Sequence, residues 1–419
     1  MRVLVIGNGA REHALCVALS ADPAVSSLVC APGNAGTVAV AEPGSLEMVD
    51  PESCADFAEA VAPDLVIVGP EAPLVAGAAD ALRTRGLCVF GPSGAAARLE
   101  GSKAFAKDVM SAAGVPTASA RAHTDVTAAL EHLETQAAPY VVKYDGLAAG
   151  KGVTVTDDIH AARDAVRAAL QTDHDTVVIE DYLDGPEVSM FAITDGETVL
   201  PLVPAQDFKR IGDGDAGPNT GGMGAYSPLP WLPADFVDEA MRTVLVPTVR
   251  EMAARGTPFA GLLYGGFAMT SAGMKVVEFN ARFGDPETQV VLARLRTPLG
   301  GVLQAAASGT LAGTTLEWSD EAVVNVVLAS GGYPGPVESG VPVLGLAEAA
   351  AVPGASVLHA GTALRDGQVV TAGGRVLSVV GTGRTLAAAR EVAYRAAALI
   401  SFDGMQLRTD IAAKAAAEA

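Results

Sequence analysis

The chain has 419 residues, half of them hydrophobic, with 28 basic against 48 acidic side chains, a net charge of −20 and a pI near 4.6. That length supports two or three domains with substantial cores, and the acidity argues against an extended nucleic-acid surface, which needs clustered Lys and Arg. No run of about 18 apolar residues predicts a transmembrane helix, and the scattered Cys16, Cys30, Cys54 and Cys88 fit buried thiols of a cytoplasmic protein rather than a disulfide framework or zinc site.

The chain enters Val3-Leu4-Val5-Ile6-Gly7 directly, so no signal peptide is expected. Strands predicted at 3–6, 64–68 and 87–90 alternate with helices at 11–20 and 76–85, the mark of a parallel sheet with crossover helices. Gly7-Asn8-Gly9-Ala10-Arg11-Glu12 places glycines between strand and helix, where backbone N–H groups can meet a phosphate. It approaches the dinucleotide fingerprint G-x-G-x-x-G, but Glu12 stands at the third glycine and argues against a nicotinamide site. A sugar phosphate held by Gly9 and Arg11 is one reading; a tight turn with a surface arginine is the other. Pro32-Gly33-Asn34-Ala35-Gly36 and Gly69-Pro70-Glu71 also follow strands, where doubly wound sheets bind ligands. Plain turns account for them too, although Glu71 is expected to hold sugar hydroxyls.

Ser102 is the expected N-cap of a helix to 113, stopped by Gly114 and Pro116. A second unit follows: a strand at 140–143, a glycine loop, a strand at 153–156, a helix at 158–170 and a strand at 176–180. The loop Tyr144-Asp145-Gly146-Leu147-Ala148-Ala149-Gly150-Lys151-Gly152 can close over nucleotide phosphates, with Lys143 neutralising them. It is not a Walker A loop, because Gly152 stands where Ser or Thr is required. Lys103, Lys143, Lys151 and Lys209 all lie in or beside glycine-rich or polar motifs, although lysine is scarce. The run from Glu180 through Leu183 to Glu187 can bond an adenine edge through its backbone and a ribose through Glu187.

Strands are predicted at 186–204 and a long polar loop at 206–228, holding Asp207, Lys209 and several glycines; loops of that length inside a domain tend to be functional. A helix at 234–255 leads to strands at 259–269 and 274–279. Glu278 and Asn280, two apart on a strand, point to one face and suit a hard cation such as Mg²⁺, which takes one or two protein oxygens besides waters and phosphates. Arg282 follows within reach of an anion, and Gly284-Asp285-Pro286 turns the chain into a helix. This combination points to metal-assisted phosphoryl transfer to a carboxylate. From about 320 the chain becomes strand-rich, closing with a helix at 385–400. His13 and His359 have no partner pattern and read as structural.

The segments VLVIGNGAREHAL, APGNAG, IVGPEAPL, GSKAFAKD, DGLAAGKGV, GPNTGGMGAYSP, EFNARFGDPETQ and HAGT, in this order, resemble the phosphoribosylamine–glycine ligase family of the ATP-grasp superfamily, from residue 1 to about 411. The resemblance implies an α/β and α+β multidomain chain. Its parts would be a Rossmann-like N-terminal domain at 1–101, an ATP-grasp domain at 102–316 with a mobile small lobe near 118–187, and a small strand-rich α+β domain at 317–419. It implies ATP-dependent ligation of glycine to 5-phosphoribosylamine through a glycyl phosphate, in purine synthesis. Carried over by position, Glu278 and Asn280 would hold Mg²⁺ or Mn²⁺. Lys103, Lys143, Glu180, Leu183 and Glu187 would contact ATP, with Leu183 in the hinge beside adenine. Arg282, Asp285 and Asp207 would be catalytic, and Gly9, Arg11, Glu71, Lys209 and Gly284 would meet the other substrates.

Three departures from the family pattern stand out. Tyr144 replaces the usual Ala, the 168–178 connection is short, and Ala412 ends a pattern that usually closes on Gly. Small molecules are the only partners expected, with no nucleic acid and no membrane, and the chain is expected to act as a monomer. The rivals are an ATP-grasp ligase for another acid–amine pair, a non-catalytic nucleotide sensor, and a nicotinamide dehydrogenase.

Overall fold

Five parallel strands form the first sheet of the computed structural model, which describes residues 1–147, 152–171 and 176–418. Their spatial order is Glu42–Pro43, Ser27–Pro32, Arg2–Gly7, Leu65–Val68 and Val89–Phe90. Val3 to Ile6 and Leu65 to Val68 are buried throughout, as strands covered on both faces must be. The strand order reverses between Arg2–Gly7 and Leu65–Val68, so the crevice at their carboxyl ends holds both the Gly7–Glu12 loop and Glu71. The helix expected at 76–85 is Ala78–Thr84, and Gly77, whose φ of 93° is left-handed, separates it from a further helix, Glu71–Ala76.

The small lobe is a four-stranded antiparallel sheet in the order Ala120–His123, Val177–Glu180, Tyr140–Tyr144, Val153–Thr156. Alternation sends Val142, Val177 and Ile179 into a core with the helices Val126–Leu133 and Ile159–Ala169. The same alternation leaves Lys143 and Glu180 together on the opposite face. A central antiparallel sheet follows, ordered Val199–Pro201, Glu187–Asp195, Ala260–Thr270, Gly273–Asn280. In its register Glu278 lies opposite Gly266 and Asn280 opposite Tyr264, while Phe279 between them turns into the core.

The polar loop expected at 206–228 is more ordered than its composition implies. Gln206–Asp207 and Gly224–Ser227 join Ala322–Ala329, Arg375–Gly383 and Ala355–His359 in one five-stranded sheet, so strands from before residue 316 and after it share a layer. Between them Arg210–Gly212 pairs with Ala216–Asn219 as a hairpin. Ala-Gly-Pro-Asn has no strand propensity; tertiary contacts hold it. The buried Arg408 guanidinium bonds Asp215 at 2.7 Å and the Arg210 carbonyl at 3.2 Å, and lies 4.8 Å over the Phe208 ring. The helix expected at 234–255 is interrupted by a π turn, Met241–Leu245, ahead of Pro247, which has no N–H to give the preceding turn.

Ala412, where a glycine was expected from the resemblance, is buried with a left-handed φ of 58°. That conformation costs an L-residue roughly 1–2 kcal/mol, more than the entropy alanine saves in the unfolded chain. Ala412→Gly is therefore expected to stabilise the fold by about 0.5–1 kcal/mol in denaturant unfolding. An unchanged or lowered midpoint would contradict the strain.

His13 and His359 meet where the first helix packs on the C-terminal sheet, with the His359 N–H donating to His13 Nδ1 at 2.8 Å and ring centroids 5.7 Å apart. Burial pushes both imidazoles down to about 4, His13 being lowered further by His359. A depressed imidazole supports the fold fully above its unfolded value near 6.5, and that support is lost as pH falls through 6.5 toward 4. Between about pH 6.5 and 5 the pair should cost on the order of 3 kcal/mol of stability. Denaturant unfolding of the parent and of His13→Gln/His359→Gln reads this: the parent should weaken with acid more steeply than the variant, and equal slopes would refute it.

Candidate active site

The strand Gly273–Asn280 places Glu278 and Asn280 on one face of the central sheet, beside Val277, whose carbonyl is reached by Lys143 of the small lobe. Among the described residues, no hydrogen bond or ion pair occupies the Glu278 carboxylate or the Asn280 side-chain amide. Burial raises the Glu278 pKa, but Lys209, Lys143, Lys103 and Arg282 outweigh it and hold the carboxyl below its ordinary value. An ionised carboxylate and an amide oxygen, both uncommitted, form a donor set that fits a hard divalent cation. Among the described residues no group of three or more His, Cys, Asp or Glu is placed to hold a metal ion, so any cation here would take most of its ligands from elsewhere.

Lys143 crosses from the small lobe, donating to the Val277 carbonyl at 3.3 Å and pairing with the buried Glu180. Glu180 also takes Lys107 at 2.7 Å, so its carboxylate braces two lysines; the sequence had singled out only one of them. Lys103 donates to the Gly146 carbonyl at 3.0 Å and lies 5.5 Å from the Tyr144 ring centroid. Ser102 caps the helix Lys103–Ala112 as expected, accepting the Phe105 N–H at 3.1 Å. Asp145 accepts from Ser102 Oγ at 2.9 Å and from the Ala104 N–H at 3.2 Å, which ties the glycine loop to that helix. The middle of the loop, Ala148 to Lys151, and part of the connection at 168–178 lie outside the described residues. Leu183 sits in the irregular segment joining Val177–Glu180 to Glu187–Asp195.

Lys209 pairs with Glu187 and lies 3.9 Å from Asp207. Burial lowers the Lys209 pKa, yet Asp207 and Glu187 raise it well above normal. Asp207 is pushed up to about 7, first by burial and then by Glu287, Glu187 and Glu278, against the pull of Lys209. Glu287, which the sequence did not mark, is buried and accepts from Ser189 Oγ at 3.0 Å and Tyr264 Oη at 3.1 Å.

Arg282 is not the free anion binder the sequence predicted. Its guanidinium bonds Glu71 at 3.0 Å, Glu100 at 2.9 Å and the Phe283 carbonyl at 3.2 Å. Burial raises Glu71, but Arg282 and Arg11 hold it down to about 2. For Glu100 burial wins over Arg282 and lifts the carboxyl to about 7. Gly284 gives the Glu287 side chain room: a Cβ there would lie 2.7 Å from Glu287 Oε2.

The Gly9 amide, expected to face a phosphate, is taken by Glu12 at 2.7 Å. The Glu12 side chain fills the space beside Gly7, Gly9 and Gly69, where added Cβ atoms would collide with it. This explains why glutamate replaces the third glycine and why a dinucleotide pyrophosphate is excluded from the loop. Arg11 likewise is buried, bonded to Glu12 and to the Phe283 carbonyl at 3.1 Å, which removes the surface-arginine alternative. Asp285 lies between the C-terminal sheet and the Gly7–Glu12 loop. It bonds Gln289 at 2.9 Å, pairs with Arg375 at 3.3 Å, and lies 3.5 Å from where a Cβ on Gly9 would stand. No spacing in the sequence signals Arg375, Glu100 or Lys107; each enters the site through tertiary packing.

Sequence models described as phosphoribosylglycinamide synthetase match the chain in three consecutive parts: the N domain over residues 1–100, the ATP-grasp (A) domain over 101–288 and the C domain over 323–414. The phosphoribosylamine–glycine ligase of Streptomyces coelicolor is 62% identical over 419 residues, spanning 99% of this chain and 100% of that one. The crystal structure of phosphoribosylamine–glycine ligase from Thermotoga maritima is similar at 32% identity and a TM-score of 0.84, covering 98% of this chain and 100% of that one. A biotin carboxylase domain from Hydrogenobacter thermophilus, at 16% identity and a TM-score of 0.73 over 97% of this chain and 91% of its own, shares the fold. The chain therefore belongs to the phosphoribosylglycinamide synthetase family, an ATP-grasp family of three-domain enzymes.

Proposed function

We propose that the enzyme joins glycine to 5-phosphoribosylamine, converting ATP to ADP and phosphate and yielding glycinamide ribonucleotide for purine synthesis. The observation that carries this reading is the uncommitted Glu278–Asn280 pair, whose carboxylate is held ionised by Lys209, Lys143, Lys103 and Arg282. In the first step a glycine carboxylate oxygen attacks the γ-phosphorus, the bond to the bridging oxygen breaks, and ADP leaves. The lysines spread the charge of the transferring phosphoryl group. Mg²⁺ or Mn²⁺ on Glu278 and Asn280, when bound, would neutralise the phosphate oxygens. Lys103, Lys143, Glu180 and Glu187 line the nucleotide side, with Leu183 at the adenine hinge.

In the second step the amine nitrogen attacks the glycyl carbonyl carbon, and the C–O bond to phosphate breaks with its electron pair. Asp285, kept ionised by Arg375 and Arg11, orients the amine and balances the ammonium charge that develops. Asp207, with a carboxyl near 7, is suited to take the released proton. Lys209 and Gly284 lie on the glycine side, and Gly9, Arg11 and Glu71 on the sugar side. Arg282 orders this wall rather than meeting a free anion. Closure of the small lobe would exclude the water that hydrolyses an acyl phosphate.

We infer the domain limits 1–101, 102–316 and 317–419, with the strands at 206–227 forming the seam. We also infer a cytoplasmic monomer that acts on small molecules alone. No helix among the described residues is long and apolar enough to cross a membrane. Glycine labelled with heavy oxygen in its carboxylate tests the reaction. One labelled oxygen should appear in the released phosphate for each product formed; unlabelled phosphate would rule out the glycyl phosphate.

A further inference from the structure

Arg375 begins the strand Arg375–Gly383 in the C-terminal sheet, yet its guanidinium lies in the seam beside Asp285. One nitrogen, Nη1, donates to the carbonyls of Gly221 at 2.6 Å and Asp285 at 2.7 Å, with Gly222 at 3.4 Å. The other, Nη2, meets the Asp285 carboxylate at 3.3 Å. The glycines of the Asn219-Thr220-Gly221-Gly222 run make this approach possible. A Cβ on Gly221 would stand 3.1 Å from the Arg375 guanidinium carbon, and one on Gly222 would collide with the Pro286 ring. Tyr333 pins the same loop, its hydroxyl accepting the Gly221 N–H at 2.8 Å. From the same strand Ser378 supports Gln289, which donates to the second Asp285 oxygen at 2.9 Å and to Ser378 Oγ at 3.4 Å. Both carboxylate oxygens of Asp285 are thus held by side chains tied to one C-terminal strand.

We infer that Arg375 is a positioning residue, through which the C-terminal sheet fixes the Asp285 carboxylate for the amine of phosphoribosylamine. The inference rests on the function proposed above. A planar fork that meets a carboxylate and three carbonyls fixes direction as well as charge, which an ammonium group does not. The charged groups around Asp285 include Arg375 from the strand, Arg11 and Glu12 from the first helix and Arg282 from the segment before it.

Steady-state kinetics of Arg375→Gln and Arg375→Lys test this, with ATP and phosphoribosylamine varied separately. In both variants kcat/KM for phosphoribosylamine should fall about a hundredfold, the usual effect of an ångström-scale misplacement, while KM for ATP moves less than about threefold. Parallel losses for both substrates with a lowered melting temperature, or parent-like kinetics in both variants, would overturn the role. A parent enzyme that forms no ADP with glycine and phosphoribosylamine would overturn the functional reading and this inference with it.

Discussion

Glu278→Ala is expected to lower turnover about a thousandfold, close to 4 kcal/mol of lost transition-state stabilisation. Glu278 is ionised under four cations and engages no described hydrogen-bond donor, so its charge is free for chemistry rather than spent on structure. Folding should accordingly change little, by about 1 kcal/mol or less, as for a side chain without committed partners. Glu278→Gln keeps the shape without the charge and should lose nearly as much activity as the alanine. Turnover within tenfold of the parent in either variant would remove the metal assignment.

Arg282→Met should act in the opposite proportion, with a large loss of stability accompanying the loss of activity. The guanidinium separates the part-buried Glu71 carboxylate from that of Glu100, whose side chain is nearly covered and whose carboxyl is already raised to about 7 with Arg282 in place. Removing one member of a buried ionic cluster typically costs about 3–5 kcal/mol, because the remaining charges are left unpaired. Arg282→Met/Glu100→Gln should recover part of that stability in denaturant unfolding without recovering turnover. A cost under about 1 kcal/mol for Arg282→Met would show that the cluster is not a structural hub.

The sequence carried the parts of this site that lie on one strand or one turn. Period-two alternation was enough to put Glu278 and Asn280 on a common face, and Ser102 ahead of a helical run was enough for a cap. Glu12 at a glycine position argued against a dinucleotide, and the structure gives the reason: its carboxylate occupies the Gly9 amide. What local pattern could not carry is the pairing of charges across the molecule. Arg282 looked like a free anion binder because Glu100 lies 182 positions before it, and only the fold brings the two within 2.9 Å. Arg375 was invisible for the same reason, since it reaches Asp285 from a strand in another part of the chain. The hairpin Arg210–Gly212 with Ala216–Asn219 was read as loop because Gly, Pro and Asp dominate it, and its order comes from Arg408 and its aspartates.

The most direct test is ADP release from the purified enzyme with Mg²⁺, ATP, glycine and phosphoribosylamine made in place from ribose 5-phosphate and ammonia, omitting each component in turn. ADP formation that requires both glycine and the phosphoribosyl amine is the result predicted here. ADP released with neither, or only with a different acid–amine pair, would contradict the ligation of glycine to phosphoribosylamine while leaving the ATP-grasp fold intact.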